Sequence, residues 1–287
     1  MKSFKVLLIS FLGGALFLVG CGGGQKTAKP VVSVVPGIPN GAVSSFNDGV
    51  ALLAEKPPKY AEALREFQDA VKAHPTYRVA RLNVAICLEK TGQYAEAAAM
   101  YQNLVDDYVE DASVFMAFGN ALLLSGQTGQ AIEQFERVVT IDDKNLEAKN
   151  NLAAAYLQKG ELERSREFVK EVLAVQPDNV PALINLGMYY QRKKKMDLSR
   201  LMFETALNHE LAKDKPAKGE KVVKSESQEK SNPLMMARAH NNLGMTWFMM
   251  GVIPNAVHHF KQAIGFDPSM NEARMNVASI YLDYLAY

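Results

Sequence analysis

The sequence is poor in the residues that disulfide-stabilised domains and metal sites depend on. Its 287 residues include only two cysteines, Cys21 and Cys87, which lie in very different contexts and cannot form a disulfide framework. The five histidines show neither the H-E-x-x-H pattern nor a Cys/His spacing typical of metal binding. Adjacent His258 and His259 would point about 100° apart on a helix, so we do not expect them to share a metal ion easily.

Two further absences bear on catalysis. No glycine-rich loop follows a predicted strand, as cradling a phosphate requires, and no G-x-S-x-G element is present. Cys87, flanked by Ile86 and Leu88, is most simply interpreted as a small core residue. We therefore expect a protein that is not an enzyme and that uses no cofactor, metal ion or small-molecule substrate.

The chain also lacks an excess of charge of either sign. It carries 32 basic and 31 acidic side chains, a formal net charge of +1. Because Lys2 and Lys5 lie within the first twenty residues, the remainder has one more acidic than basic side chain. Bulk electrostatics therefore do not predict nucleic acid as a partner.

The first forty residues carry an export pattern. Lys2 and Lys5 precede an apolar run over 6–19, which is too short to span a bilayer comfortably but suits a secretory signal core. The run ends at Leu18-Val19-Gly20-Cys21. This stretch resembles the bacterial lipoprotein signal, which implies a signal peptide over 1–20 and lipidation of Cys21. A plain secretory signal or an uncleaved anchor is the alternative.

The lipoprotein resemblance also implies a location. Cys21 would carry a diacylglyceryl thioether and an N-acyl chain such as palmitate, and several acyl chains give stable membrane anchoring. Gly22, rather than Asp, follows Cys21, which in Gram-negative sorting suggests the outer membrane. The glycine- and proline-containing stretch 21–41 is predicted to be a flexible tether that leaves the folded body in the periplasm.

From about residue 42 onward, a pattern recurs every 34 residues. Its cleanest copy, Ala237–Met270, has small and large apolar residues three and four apart in two halves separated by Gly251. Such a pattern predicts two amphipathic helices packed face to face, and Pro268 cannot continue the second helix. Further copies begin near residues 42, 78, 112, 146 and 180.

The 34-residue pattern resembles the tetratricopeptide repeat. That resemblance implies an all-α fold, an α-solenoid of tetratricopeptide helix pairs forming a right-handed superhelix, in which each unit buries its apolar face against its neighbours. We assign five units to 42–211, a polar inserted loop to 212–236, and a sixth unit with one further helix to 237–287. The inserted loop is either a tolerated insertion or a protease-sensitive arm that contacts a partner.

Three details depart from the pattern. The helix junction of the first unit, Glu55–Lys59, is two residues longer than the others. In the fifth unit, Lys194 replaces the junction glycine and Ser199 replaces a small alanine. The final helix, 271–287, has apolar residues on its predicted outer face, which favours a truncated array or a covering subunit over a natural cap.

In tetratricopeptide arrays the first helix of each pair lines a concave groove. The carboxylate-clamp residues that some members use to hold a peptide's terminal carboxylate are missing here. An apolar, methionine-rich lining suits an apolar helix or extended segment instead. The resemblance assigns the groove to Leu82, Ile86, Met116, Asn120, Asn150, Ile184, Met188, Asn241, Met245, Phe248 and Met249.

For two further sets of residues on the first helices, the sequence allows two interpretations. Leu123 and Leu157 could line the groove or lie between units. Asn151, Asn185, Asn242 and Asn276 share one repeat position, from which they could bind a peptide backbone or cap contacts between units.

The functional hypothesis follows from the two resemblances. The chain is similar to tetratricopeptide lipoproteins that help assemble type IV pilus secretins and to those of the myxobacterial gliding-motility complex. This implies an outer-membrane scaffold that binds apolar segments of envelope proteins for a motility, pilus or secretion machine. The alternatives are an adaptor that docks peptidoglycan hydrolases and a chaperone for outer-membrane proteins.

Overall fold

A computed structural model describes residues 37–107, 111–213 and 230–284, with side-chain surroundings given up to residue 282. The signal peptide, Cys21, most of the tether and residues 214–229 of the predicted loop lie outside the described residues. Within the described residues the regular structure is helical, with one short 3₁₀ turn at Val105–Asp107. The α-helices are α1 (Asn40–Ala54), α2 (Tyr60–Ala73), α3 (Arg78–Lys90), α4 (Tyr94–Gln102), α5 (Ala112–Leu124), α6 (Thr128–Ile141), α7 (Leu146–Lys159), α8 (Leu162–Val175), α9 (Val180–Arg192), α10 (Met196–Lys213), α11 (Pro233–Met249), α12 (Ile253–Phe266) and α13 (Asn271–Tyr284).

The helices pack in consecutive pairs, an odd-numbered first helix against the even-numbered second helix that follows it. Direct packing joins α1 to α2, α3 to α4, α5 to α6, α9 to α10 and α11 to α12. In the remaining pair, the Tyr156 ring of α7 stacks on the Phe168 ring of α8 with centroids 5.8 Å apart. The predicted all-α architecture of helix pairs is therefore confirmed.

In four of the pairs, a glycine on the first helix lies against a phenylalanine ring on the second helix. Because glycine has no side chain, the two helices can approach each other closely. A Cβ added at the glycine would lie 2.5–2.8 Å from the phenylalanine ring, a distance at which the ring would have to move. Three pairs are 16 residues apart, whereas the first is 18 apart because of its longer junction. The pairs are Gly49 and Phe67, Gly119 and Phe135, Gly187 and Phe203, and Gly244 and Phe260.

At most junctions between the two helices of a pair, one residue adopts the left-handed backbone conformation. Gly92, Gly126, Gly160 and Gly251 have φ between +78° and +86°. The fifth unit uses Lys194 at φ +57°, the one described non-glycine residue with positive φ. Since an L-residue with a Cβ costs roughly 1–2 kcal/mol in this conformation, the fifth junction keeps the turn of the other units at an energetic disadvantage.

The described chain divides into two compact units that meet in sequence within α7. The N-terminal unit runs to Asn151 and the C-terminal unit begins at Leu152. In the N-terminal unit, the Phe46 ring packs against Phe67 and Tyr77 at centroid distances of 5.5 and 5.1 Å. In the C-terminal unit, Phe260 and Ala256 form a buried cluster with Ile280 of α13.

The structure corrects the boundaries of the predicted loop 212–236. Helix α10 continues to Lys213, and α11 begins at Pro233, where the Asn232 side chain accepts hydrogen bonds from the backbone N–H groups of Leu234 and Met235. The added turn of α11 is helical because it has apolar side chains to bury. Those of Met235 and Met236 are buried.

Glu210 joins the two helix ends that flank the insertion. This residue is only 2% exposed. One oxygen accepts from the backbone N–H of Asn232 at 2.7 Å, and the other accepts from Nζ of Lys213 at 3.0 Å. A buried carboxylate needs such partners, so these bonds fix where α10 ends and α11 starts.

The serine that replaces alanine in the fifth unit has a polar partner across the insertion. Oγ of Ser199 on α10 lies 3.2 Å from Oγ1 of Thr246 on α11, and both residues are fully buried. Nε2 of Gln191 on α9 donates to the same Thr246 oxygen at 3.2 Å. This buried network holds the fifth and sixth helix pairs together within the C-terminal unit.

Among the described residues, none of the helices has both the length and the apolar stretch that crossing a bilayer requires.

Candidate partner-binding face

In the N-terminal unit, the predicted groove residues lie on α3, α5 and α7. Leu82 and Ile86 on α3 are half-buried and keep some accessible surface. Met116 and Asn120 on α5 and Asn150 on α7 are buried. The groove prediction is therefore corrected for these three residues, which offer no surface to a partner in this conformation.

A contact between neighbouring first helices explains part of this burial. Nδ2 of Asn151 on α7 donates to Oδ1 of Asn120 at 3.1 Å and lies 3.3 Å from the sulfur of Met116. Asn151 thus caps a contact between helix pairs, one of the two roles considered for its repeat position. Leu123 is also buried, which places it in the core.

In the C-terminal unit, most of the predicted groove residues remain accessible. Met188, Asn241, Met245 and Phe248 are half-buried, and Met249 is 47% exposed. Ile184 on α9 is an exception because it is buried, and Leu157 on α7, for which two interpretations were open, is buried as well. The prediction for Ile184 is corrected accordingly.

Asn276 and Asn241 repeat the inter-helix contact seen in the N-terminal unit. Nδ2 of Asn276 on α13 donates to Oδ1 of Asn241 on α11 at 3.2 Å. Through this bond α13 lies beside α11, in the position of the first helix of a further repeat. Residues of α13 therefore share the face on which Met245 and Met249 lie.

Two exposed residues of α13 extend the accessible apolar surface. Met275 and Leu282, which are 50% and 73% exposed, follow Asn241 and Phe248 by one 34-residue period. Sequence reasoning placed the groove no further than α11, although the period itself would have found both. We name as the methionine row the residues Met188, Met245, Phe248, Met249, Met275 and Leu282.

The methionine row combines a packed base with exposed ends. Met245 and Phe248 pack against the buried cluster that contains Phe260 and Ile280. Met249, Met275 and Leu282 are exposed to solvent. Unbranched thioethers adapt to partners of varied shape, so this surface suits an apolar segment of another protein.

Cys87 takes no part in this face. Its side chain is fully buried in α3, and burial raises the pKa of its thiol to about 12. A thiol held in its neutral form is neither a nucleophile nor a metal ligand at neutral pH. This geometry agrees with the interpretation of Cys87 as a core residue.

The repeat geometry can now be compared with known proteins. A family model described as the tetratricopeptide repeat matches residues 52–117 and 122–205, together more than half of the 287-residue chain. The chain belongs to the tetratricopeptide repeat family. Members of this family are in general non-catalytic scaffolds, and the match indicates no enzyme family.

Solved structures with the same fold share little sequence with this tetratricopeptide protein. A thermophilic tetratricopeptide protein of Thermus thermophilus is 18% identical, covers 71% of this chain and 99% of its own, and has a TM-score of 0.56. A tetratricopeptide repeat protein of Parabacteroides merdae is 12% identical, covers 84% of this chain and 98% of its own, and has a TM-score of 0.55. PilF of Pseudomonas aeruginosa is 12% identical, covers 83% of this chain and 97% of its own, and has a TM-score of 0.51.

These similarities establish the fold alone. No curated protein matches the chain. The fold is consistent with a scaffold for protein–protein interaction.

Proposed function

We propose that this tetratricopeptide protein is a non-enzymatic lipoprotein scaffold, anchored in the outer membrane through Cys21, whose methionine row binds an apolar segment of a periplasm-facing envelope protein. The observation that carries the binding proposal is the exposure of Met249, Met275 and Leu282, at 47%, 50% and 73%, on adjacent first helices. Large apolar side chains grouped on one surface of a soluble body are typical of interaction sites.

The anchor is supported by the sequence alone, because Cys21 lies outside the described residues. The basic start, the apolar run 6–19 and the small residues before Cys21 together form the pattern of a lipoprotein signal. Mass spectrometry of the purified protein tests it directly. A mature N-terminal Cys21 that carries a diacylglyceryl group and an acyl chain supports the anchor, whereas an unmodified chain contradicts it.

Replacing the thiol provides the matching functional test. Cys21→Ala removes the sulfur that the lipid is attached to and should release the protein from the membrane fraction. Continued membrane association of the unlipidated variant would contradict lipid anchoring as the means of attachment.

The machine served by the scaffold is proposed from resemblance to pilus-secretin assembly and gliding-motility lipoproteins. Capture of partners from detergent-solubilised envelopes, with mass-spectrometric identification, distinguishes the candidates. Secretin, pilus or motility subunits support the proposal. Peptidoglycan hydrolases would indicate an adaptor, and unfolded barrel proteins would indicate a chaperone.

A matched pair of variants makes the capture specific to the methionine row. Met249→Glu with Leu282→Glu places two charges on the row. Leu198→Glu with Leu201→Glu places the same charges on exposed apolar positions of α10, a second helix outside the row. The first variant should lose the partner, and the second should retain it.

A further inference from the structure

Three histidines from the two helices of the sixth pair lie close together. His240 lies on α11, and His258 and His259 lie on α12. Nδ1 of His240 is 3.0 Å from Nδ1 of His259, and the centroids of their rings are 5.3 Å apart. His258 is exposed and meets the His259 ring edge-on at a centroid distance of 5.2 Å.

The rings of the facing pair are held in place. The His240 ring stacks on Phe266 with centroids 5.6 Å apart and planes 7° from parallel. It therefore packs against both Phe266 and His259. His240 and His259 are both half-buried, and the neighbouring His258 is exposed.

Both imidazoles are neutral at neutral pH. Burial and the neighbouring histidines lower the pKa of His240 to about 4, and burial together with His258 lowers that of His259 to about 4. In the neutral pair, one Nδ1–H donates to the lone pair of the other Nδ1.

The distance between the two nitrogens limits the coordination geometry. With metal–nitrogen bonds of about 2.0–2.1 Å, a nitrogen separation of 3.0 Å corresponds to a nitrogen–metal–nitrogen angle of roughly 90°. Adjacent positions of square-planar or tetragonal sites, which Cu²⁺ and Ni²⁺ prefer, have this angle. A tetrahedral site would hold the nitrogens about 3.4 Å apart.

We propose that His240 and His259 form a two-histidine site for a divalent transition-metal ion, Cu²⁺ or Ni²⁺, that joins α11 to α12. The ion replaces the hydrogen bond between the two Nδ1 atoms, and the imidazole that donated this bond carries its proton on Nε2 instead. Among the described residues, no group of three or more histidine, cysteine, aspartate or glutamate side chains is placed so that it could hold a metal ion. Water therefore completes the coordination.

This site would not have been found from the sequence pattern. His258 and His259 are adjacent but diverge on the helix, whereas His240 and His259 are 19 residues apart and converge because α11 and α12 form a pair. The site shares no residue with the methionine row, so its test is separate from that of the proposed partner binding.

Titration of the full-length, untagged protein in detergent with Cu²⁺ tests the proposal. Electron paramagnetic resonance should show two nitrogen ligands on the bound ion. His240→Phe and His259→Phe should each weaken binding by at least about tenfold and remove one nitrogen from the spectrum. His74→Phe and His209→Phe, which alter histidines elsewhere, should change neither readout, and Mg²⁺ should not compete.

A measurement on the unaltered protein tests the proposal even if a variant fails to fold. Cu²⁺ is paramagnetic, and substoichiometric Cu²⁺ should broaden the ¹⁵N resonances of His240 and His259 while leaving those of His74 and His209 sharp. Absence of Cu²⁺ binding up to about millimolar concentration would overturn the proposal. Unchanged affinity in folded His240→Phe and His259→Phe, or broadening confined to other histidines, would do the same.

Discussion

Gly119 on α5 lies against the ring of Phe135 on α6, and a Cβ at Gly119 would be 2.5 Å from Cε1 of Phe135. Phe135 is fully buried, so its ring has no open space into which to retreat. The same relationship recurs at Gly187 with Phe203 and at Gly244 with Phe260. In these pairs the spacing of the two helices depends on the absence of one methyl group on the first helix.

Gly119→Ala should destabilise the N-terminal unit. The added methyl must displace the Phe135 ring, and overpacking of this kind typically costs about 1–3 kcal/mol in free energy of unfolding. Urea unfolding followed by circular dichroism measures the loss. Gly129→Ala, at an exposed position on α6 with no atom near the new Cβ, is the control and should be neutral or slightly stabilising. Equal effects of the two substitutions would contradict the close-approach account.

Lys194→Gly should stabilise the C-terminal unit by about 0.5–1 kcal/mol. The backbone at Lys194 has φ +57°, which costs an L-residue roughly 1–2 kcal/mol, and the greater freedom of glycine in the unfolded chain offsets part of the gain. The reciprocal variant Gly160→Lys, at φ +86°, should lose stability. A lower urea midpoint for Lys194→Gly would show that the lysine side chain contributes more than its backbone conformation costs.

Glu210→Ala should loosen the ends of α10 and α11. Removal of the carboxylate leaves the Asn232 N–H and the Lys213 ammonium without the acceptor they share, an effect of about 1–3 kcal/mol. Hydrogen exchange at the Asn232 amide reports on this contact and should become faster.

A matched carboxylate variant controls for the loss of charge on α10. Glu204→Ala breaks a partly exposed ion pair with Arg200 and should change stability by less than about 1 kcal/mol. If Asn232 exchanges as slowly in Glu210→Ala as in the unaltered protein, Glu210 does not fix the helix ends.

Cys87 should resist thiol reagents while the protein is folded. Its pKa of about 12 and its complete burial leave almost no accessible thiolate at pH 7 to 8. In the Cys21→Ala background, maleimide labelling should be slow in buffer and fast in denaturing urea. Rapid labelling of the folded protein would show that α3 opens readily.

The repeat architecture could be predicted because it is local in sequence. The 34-residue period places each small residue opposite a large one in the same unit, and Gly119 with Phe135 follows from that spacing alone. The extension of α11 was harder to predict, because the polar composition before it concealed the start. Even so, Asn232 followed by Pro233 is a recognised helix-start signal.

Which residues of the candidate site are accessible depends on side-chain contacts that the 34-residue period does not determine. Asn120 and Met245 occupy the same groove position in their units, yet Asn120 is buried beside Asn151 while Met245 keeps exposed surface. Side-chain burial here is decided by the neighbouring helix pair. The meeting of His240 with His259 likewise depends on how α11 and α12 pack.

The central claim is that the methionine row binds an apolar segment of a partner protein. Isothermal titration calorimetry with the captured partner's binding segment tests it most directly, comparing the unaltered protein, Met249→Glu with Leu282→Glu, and Leu198→Glu with Leu201→Glu. The account predicts a negative heat-capacity change on binding, at least about a tenfold loss of affinity in the row variant, and unchanged affinity in the α10 control. Equal affinities for the row variant and the unaltered protein would contradict it.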